Sequence, residues 1–405
     1  MLQIAVERLV RLWPDAVIHV ITDDPARLEA CCPGVRPVDA AGRRLWFEDA
    51  YFTHTLHRLA PEALSQRAAG LERLLRRRSP ALAREIIRAR AAVRGDDIAP
   101  LDEFLSAVSA ADLVVSTGAG ALTDVFAPLA LSILDLLEMG NQNGAATALL
   151  GHGVGPIHDL VLLRRAREVL PSLDLITLRE GRLGRPLLES LGVPAERIVV
   201  TGDDAVELAH RRAVDDDLGR GLGVNLRIAR YSGVQPVMVA SVGVVVREAA
   251  LRHHAETVPI PISWHPREAD AAVIERLVGA RGEPNATDMA HAADRVRRCR
   301  VVVTGSYHAA VFALAQGVPA IGLTSSRYYD GKFVGLREQF EDDFPIVRLD
   351  DTAFAASLSA AIDHAWDSAD EARPRLLRLA ERQVEQGRAA YRRLHRIVAE
   401  ARGGS

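Results

Sequence analysis

The sequence predicts an α/β protein of two domains, each built on a doubly wound parallel sheet. Three observations carry that expectation. The chain has 405 residues, more than one compact core usually holds. Short apolar runs ending in glycine or polar residues alternate with longer helical patterns, the strand, loop, helix rhythm of a parallel sheet. That series runs twice, separated by an acidic stretch, "VDDDLGRG" from Val214 to Gly221.

The chain opens on "MLQIAVERLVRLW", an amphipathic helical pattern, where a doubly wound domain normally starts with a strand and a glycine-bearing loop. Either that first strand lies upstream or the N-terminal domain does without it. "AVIHVITDD" (Ala16 to Asp24), "ADLVVSTGAG" (Ala111 to Gly120), "TALLGHGVGP" (Thr147 to Pro156), "LDLITLRE" (Leu173 to Glu180) and "RIVVTGDD" (Arg197 to Asp204) read as buried strands with loops at their carboxyl ends. Helices are expected between them, at Val161 to Leu170 and Arg185 to Leu191, and residues 56–107, rich in Ala, Arg and Leu, read as a helical insertion. The second series runs through "GRGLGVNLR", "VPIPISWHP", "RVVVTG" and "VPAIGL". Glu371 to Arg402 reads as one long amphipathic helix. The expected division is 1–216, 217–370 and a C-terminal helix over 371–405.

A formal charge of -3 and a pI near 6.5 provide no basic field for a nucleic-acid backbone, and "RLLRRRSP" at Arg73 to Pro80 reads as a solvated helix face. Three cysteines without a C-x-x-C pair indicate neither zinc nor disulfides and fit a reducing cytoplasm. No 18-residue apolar run and no secretion signal are found, so an integral membrane protein is not expected. Lys332 is the sole lysine among 50 basic residues. A position that keeps lysine against such an arginine bias suggests a need for a compact ammonium rather than a planar fork.

In open α/β sheets ligands bind beyond the carboxyl ends of the strands, where helix N-termini attract anions. "VVVTGSYH", Val301 to His308, is such an edge: Ser306 suits a helix N-cap, Gly305 permits close approach of a ligand, and His308 projects from the first turn. Without a ligand the helix dipole keeps that imidazole neutral; a bound phosphate dianion acts in the opposite direction.

The stretch Val301 to Leu323, a strand followed by Ser-x-His-Ala and Ala-x-Gly-Val-Pro, resembles the polysaccharide pyruvyl transferase family. "GHGVGPI" at Gly151 to Ile157 is similar to that family's Gly-Gln-Gly-Ile-Gly-Pro loop, with His152 in place of Gln, and "GAGALTD", "LITLRE", "TGDDAVEL" and "GVNLR" follow in the family's order. The similarity runs from about Ala111 to Leu336. It implies two Rossmann-like domains facing across a cleft, as in the glycosyltransferase B architecture, and transfer of a pyruvyl group from phosphoenolpyruvate to a sugar, glycan or glycosylated small molecule, with the acceptor on the 1–216 side and the donor on the 217–370 side. It implies His308 as acid/base and Arg179 and Arg227 as holders of carboxylate or phosphate. Gly118, Asp124, His152, Gly153, Gly155, Ser306 and Tyr307 fall on the matching loops as substrate-binding positions.

Many family members carry a basic residue just before the histidine, where this chain has Tyr307. Arg327 or Lys332, the latter read as lying on a loop with Asp-Gly turn chemistry, is expected to replace that charge. His265 in "SWHPRE" is a further candidate for the cleft. No ligand-spaced His or carboxylate pair is evident, so neither a metal nor a cofactor is expected. Two other functions fit the same architecture: a nucleotide-sugar glycosyltransferase, and a non-catalytic binding protein of envelope or glycan assembly.

Overall fold

The computed structural model describes residues 1–47, 62–118, 120–213, 217–229, 231–263, 270–279 and 289–403. Their strands, in chain order, are β1 (His19–Thr22), β2 (Arg36–Asp39), β3 (Leu113–Thr117), β4 (Ala146–His152), β5 (Leu175–Leu178), β6 (Ile198–Val200), β7 (Gly221–Asn225), β8 (Thr257–Pro259), β9 (Cys299–Thr304), β10 (Ala320–Thr324) and β11 (Ile346–Arg348). All pairings are parallel. The N-terminal half holds a four-stranded sheet, β3-β4-β5-β6, and a separate pair, β1-β2; the C-terminal half holds β11-β10-β9-β7-β8. The expected fold of two Rossmann-like domains is the observed one. Residues 214–216, at the expected boundary, lie outside the described residues.

β2 and β11 escape a sequence reading because "RPVD" and "IVR" lack an apolar run; each lies at the edge of its sheet. β8 stops at Pro259 within "VPIPI", since proline has no N–H for the ladder. The insertion forms the helices Glu62–Arg78, Pro80–Arg94 and Ala99–Ser109. It is part of the core, since Ile87, Ala91 and Phe104 pack with Val38 of β2 and Trp46.

The opening helix, Leu2–Leu12, packs Ala5 and Leu9 on Ala148 and Leu150 of β4 and Leu175 of β5, and Val6 beside Leu28 and Val35. In the C-terminal sheet Val301 and Val303 of β9 face Val242 and Val246, whereas Val302 faces the helix Tyr307–Ala315. Apart from His308 that helix is apolar and buried all round, as inner helices are. The long helix Ala369–Gly403 ties the halves together: Leu376, Leu379 and Ala380 join the cluster around Phe312, and Tyr391 and Leu394 lie on β4 and β5. No helix among the described residues is long and apolar enough to cross a membrane.

Candidate functional site

In the C-terminal sheet the chain runs from β7 outward to β8 and then returns to β9 on the other side of β7. This reversal is the topological switch point at which open α/β sheets bind ligands. Arg227 follows β7 and His308 follows β9, so both stand at that point. Across from them Gly118 and Gly120 follow β3, Gly153 and Gly155 follow β4, Arg179 and Glu180 follow β5, and Asp203 follows β6.

Arg179 is buried. Its Nε donates to Oε2 of Glu180 at 2.9 Å, its Nη1 stands 3.8 Å from Oδ2 of Asp203, and Cζ lies 4.2 Å over the Tyr307 ring. Nη2 is buried without a hydrogen-bond partner. Tyr307 therefore supplies a π face for a guanidinium from the other half of the chain. Two glycines make room: a Cβ at Gly153 would lie 2.7 Å from Nη2 of Arg179, and one at Gly120 would lie 2.8 Å from it.

His308 occupies the first turn of Tyr307–Ala315, a helix whose N-cap, Ser306, makes no capping hydrogen bond with its hydroxyl. The expected cap is thus absent, and the first-turn N–H groups keep their positive dipole end. Gly305 is required for packing, because a Cβ there would lie 2.8 Å from Leu226. The His308 side chain is 23% exposed, yet its Nε2 is buried, unpartnered and 3.8 Å from the equally unpartnered Oδ2 of Asp203. Burial, reinforced by the positive charges of Arg179, Lys332 and Arg227, holds the imidazole well below its usual 6.5. Burial pushes the Asp203 and Glu180 carboxyls upward, against the pull of Arg179.

Lys332 lies on a helix, Arg327–Gln339, and not on the expected loop. Its Nζ donates to the Tyr328 hydroxyl and sits 3.7 Å from the centroid of that ring. A Cβ at Gly120 would lie 3.2 Å from Nζ, so the ammonium reaches the loop after β3. Burial, then the charge of Arg179, lowers its pKa well below 10.5, with Glu180 acting in the opposite direction.

Other expected positions differ. Arg227 is committed to Asp270 through Nε at 2.7 Å and Nη2 at 3.1 Å, and Asp270 also accepts from Asn225 and from the amides of Ile262 and Ser263. Its charge is felt at His308, but this carboxylate occupies its fork. Asp124 spends both carboxylate oxygens on the amides of His158 and Asp159, so it closes a loop instead of facing a ligand. His152 is fully buried, with Nε2 3.0 Å from the Ser116 hydroxyl, and burial lowers its pKa to about 4; it does not line an open surface. A Cβ at Gly118 would strike Met1, 2.8 Å away, and one at Gly155 would touch Leu187, so both glycines answer to packing. Arg327 is exposed at the start of its helix. His265 lies outside the described residues.

The sequence reading missed Asp203, Glu180 and the role of Tyr307. It also missed what the second aspartate of "TGDDAVEL" does. Asp204 turns away from Asp203 to accept from Arg8 at 2.5 Å and Tyr391 at 2.9 Å, beside Glu207, which holds Arg8, Arg211 and Arg388. This buried network fastens the opening helix, the helix Ala205–His210 and the long C-terminal helix behind the site.

The polysaccharide pyruvyl transferase family profile matches residues 1–327. The chain belongs to the polysaccharide pyruvyl transferase family. It is accordingly a transferase, and the match extends to Met1, well beyond the stretch whose motifs suggested it. Among solved structures, a glycosyltransferase from Rickettsia africae aligns at a TM-score of 0.52 with 11% identity, covering 100% of this chain and 94% of that one. The calicheamicin glycosyltransferase CalG4 aligns at 0.48 with 14% identity over 99% and 94%. UDP-GlcNAc 2-epimerase from Neisseria meningitidis aligns at 0.46 with 12% identity over 76% and 83%. At these identities the Rickettsia likeness speaks for the fold alone. No curated protein sequence matches the chain.

Proposed function

We propose that this pyruvyl transferase family member uses phosphoenolpyruvate as donor and two hydroxyls of a sugar, glycan or glycosylated small molecule as acceptor, leaving a pyruvate ketal and inorganic phosphate. The observation that supports this best is the enclosure, in one place, of three polar atoms without partners: Nε2 of His308, Nη2 of Arg179 and Oδ2 of Asp203. Buried polar atoms left so are costly unless a ligand satisfies them. A small anion with carboxylate and phosphate ends suits two cations, Arg179 and Lys332, beside an uncapped helix N-terminus. Arg179 and Asp203 precede residues 214–216 and His308 and Lys332 follow them, so the donor belongs between the halves rather than to residues 217–370 alone.

The bound trianion draws a proton onto His308, reversing the bias of the free site. The imidazolium gives that proton to the methylene carbon, forming the methyl group and an oxocarbenium-like centre. An acceptor oxygen attacks this centre and returns its proton to the imidazole. Phosphate departs with that proton, and the second hydroxyl closes the ketal and reprotonates His308. Of the two acceptor protons, one is balanced by the new C–H bond and one leaves on phosphate. Asp203 stabilises the imidazolium at each stage. The scheme uses no cofactor or metal, and a donor of central metabolism fits a cytoplasmic reaction.

The test is phosphate release from phosphoenolpyruvate with a pool of sugars and glycans, coupled to mass spectrometry for an acceptor that has gained one pyruvate ketal. Release of nucleoside diphosphate from nucleotide sugars, with no such product, would replace this reading with glycosyl transfer.

A further inference from the structure

Three aromatic rings from both halves of the chain meet beside Lys332. Phe126 belongs to the short turn Asp124–Phe126 after β3, Tyr231 to the loop after β7, and Tyr328 to the first turn of the helix after β10. Phe126 lies 5.8 Å from Tyr231 and 6.4 Å from Tyr328, centroid to centroid, and Tyr231 lies 5.8 Å from Tyr328, all near edge-to-face. None of the three is fully buried. Rings inside a core are sealed on all sides; these join two separate sheets and stay partly open to solvent.

Beneath them lies the charged cluster. The Tyr328 hydroxyl contacts Nζ of Lys332, and that ammonium lies near Arg179 and Glu180. The charged groups suit the anionic donor and leave the uncharged acceptor without a recognition surface. An aromatic face is attracted to the C–H face of a pyranose, which carries polarised hydrogens, and it offers nothing to a trianion. We propose that Phe126, Tyr231 and Tyr328 form the acceptor subsite, an aromatic clasp across the cleft that a neutral hexose ring parts and then stacks against. This inference rests on the pyruvyl-transfer reading for the identity of the donor and assigns the acceptor side of the same site.

Phe126 is anchored in the N-terminal half. Asp124, two residues earlier, is pinned to the amides of His158 and Asp159, so the ring has a fixed base. Tyr231 and Tyr328 are held together from the other half, where the Ser326 hydroxyl donates to the Tyr231 carbonyl at 2.9 Å. A ligand entering between Phe126 and the two tyrosines therefore separates groups fixed to different halves, which couples acceptor binding to cleft opening and closure.

The experiment uses the full chain and methyl β-D-gluco-, galacto- and mannopyranoside as probes, with saturation-transfer NMR as readout. The expected result is transfer to the axial C–H protons of at least one hexoside. Phe126→Ala and Tyr231→Ala should each weaken hexoside binding fivefold or more while phosphoenolpyruvate binding, measured by calorimetry, changes less than twofold. Tyr231→Phe, which keeps the ring, should retain more hexoside binding than Tyr231→Ala. The assignment is overturned if no hexoside receives saturation from the wild-type protein, if the alanine variants bind hexosides normally, or if donor and hexoside affinities fall together. It is likewise overturned if uridine diphosphate, and not a hexoside, competes for the rings. Hexoside binding that depends on the rings, without phosphate release from phosphoenolpyruvate, would retain the subsite and reject the pyruvyl-transfer reading. Phosphate release with ring-independent hexoside binding would do the reverse.

Discussion

Nε2 of His308 and Oδ2 of Asp203 face each other at 3.8 Å from opposite halves of the chain, and neither makes a hydrogen bond. At that separation they feel each other's charge but share no proton directly. An oxygen set to one side, at ordinary hydrogen-bond distance from both, closes the triangle. Residues 105 apart in sequence thus meet as one acid/base pair across the two halves of the chain.

His308→Ala should fold normally and lose about 100-fold or more in turnover, the scale of a lost general acid/base. Near-normal turnover, with an unchanged melting curve, would remove His308 from the chemistry. The pH profiles carry a sign as well. The scheme starts from imidazolium, so this group gives a basic limb: in kcat/KM, which reports the free protein, that limb should lie below pH 6.5, since burial depresses this group. The basic limb of kcat should lie higher, because the bound anion favours imidazolium. Coincident limbs would show that no anion sits beside this ring.

Arg179 and Arg227 should separate on mutation. Arg179→Met removes the guanidinium whose Nη2 awaits a ligand, so phosphoenolpyruvate binding should weaken at least tenfold with little change in acceptor binding. Arg227→Met strands the buried carboxylate of Asp270, as Arg179→Met strands that of Glu180, so each should lose about 3 kcal/mol in urea titrations, while phosphoenolpyruvate binding should fall much less for Arg227→Met. An equal loss of phosphoenolpyruvate binding in the two variants would mean that Arg227 also holds the donor.

Gly153→Ala places a methyl group 2.7 Å from the Arg179 guanidinium, closer than real contacts allow. The fold should survive, since a side chain can shift, but donor KM should rise severalfold as Arg179 leaves its seat over Tyr307. An alanine variant with wild-type donor KM would place Arg179 outside the donor site.

Much of this site could be read locally. A strand ending in Gly-Ser-Tyr-His announces a ligand-facing helix start, whereas its place at a switch point came only with the observed strand order. Lys332 was misread because "DG" is turn chemistry, yet Tyr329, Phe333, Leu336 and Phe340 are all buried along one helix face. Its glycines have another cause: a Cβ at Gly331 would lie 2.5 Å from Leu183, and one at Gly335 2.6 Å from Glu180. The helix passes too close to the other half of the chain for side chains there. Asp203 was illegible for a related reason, because its partners Arg179 and His308 come from elements that only tertiary folding brings beside it.

His152 makes stability depend on pH. Its pKa is about 4 in the fold against roughly 6.5 in an unfolded chain. Above 6.5 the ring is neutral in both states and its contribution is fully present; as pH falls toward 4 the unfolded chain takes the proton first and the contribution is lost. The loss amounts to about 3 kcal/mol at most. His152→Gln should flatten the fall of the urea midpoint between pH 6.5 and 4.5 relative to wild type, and parallel profiles would show that the buried ring does not titrate this way.

Lys332 tests why one lysine persists among so many arginines. Its Nζ is confined between the Tyr328 ring, the Arg179 guanidinium and the backbone at Gly120. An ammonium fits there as a compact point, whereas a planar guanidinium needs room in one plane and would press on Arg179. Charge alone therefore does not suffice. Lys332→Arg should lose activity about tenfold despite keeping its positive charge, mostly as a higher donor KM, because the larger head displaces Arg179. Lys332→Met should lose more, because the departing phosphate then has only Arg179 and the helix dipole to steady it. Both variants should melt close to wild type, since Lys332 makes no buried ion pair among the described residues. Wild-type kinetics for the arginine variant would mean that the site reads charge and not shape.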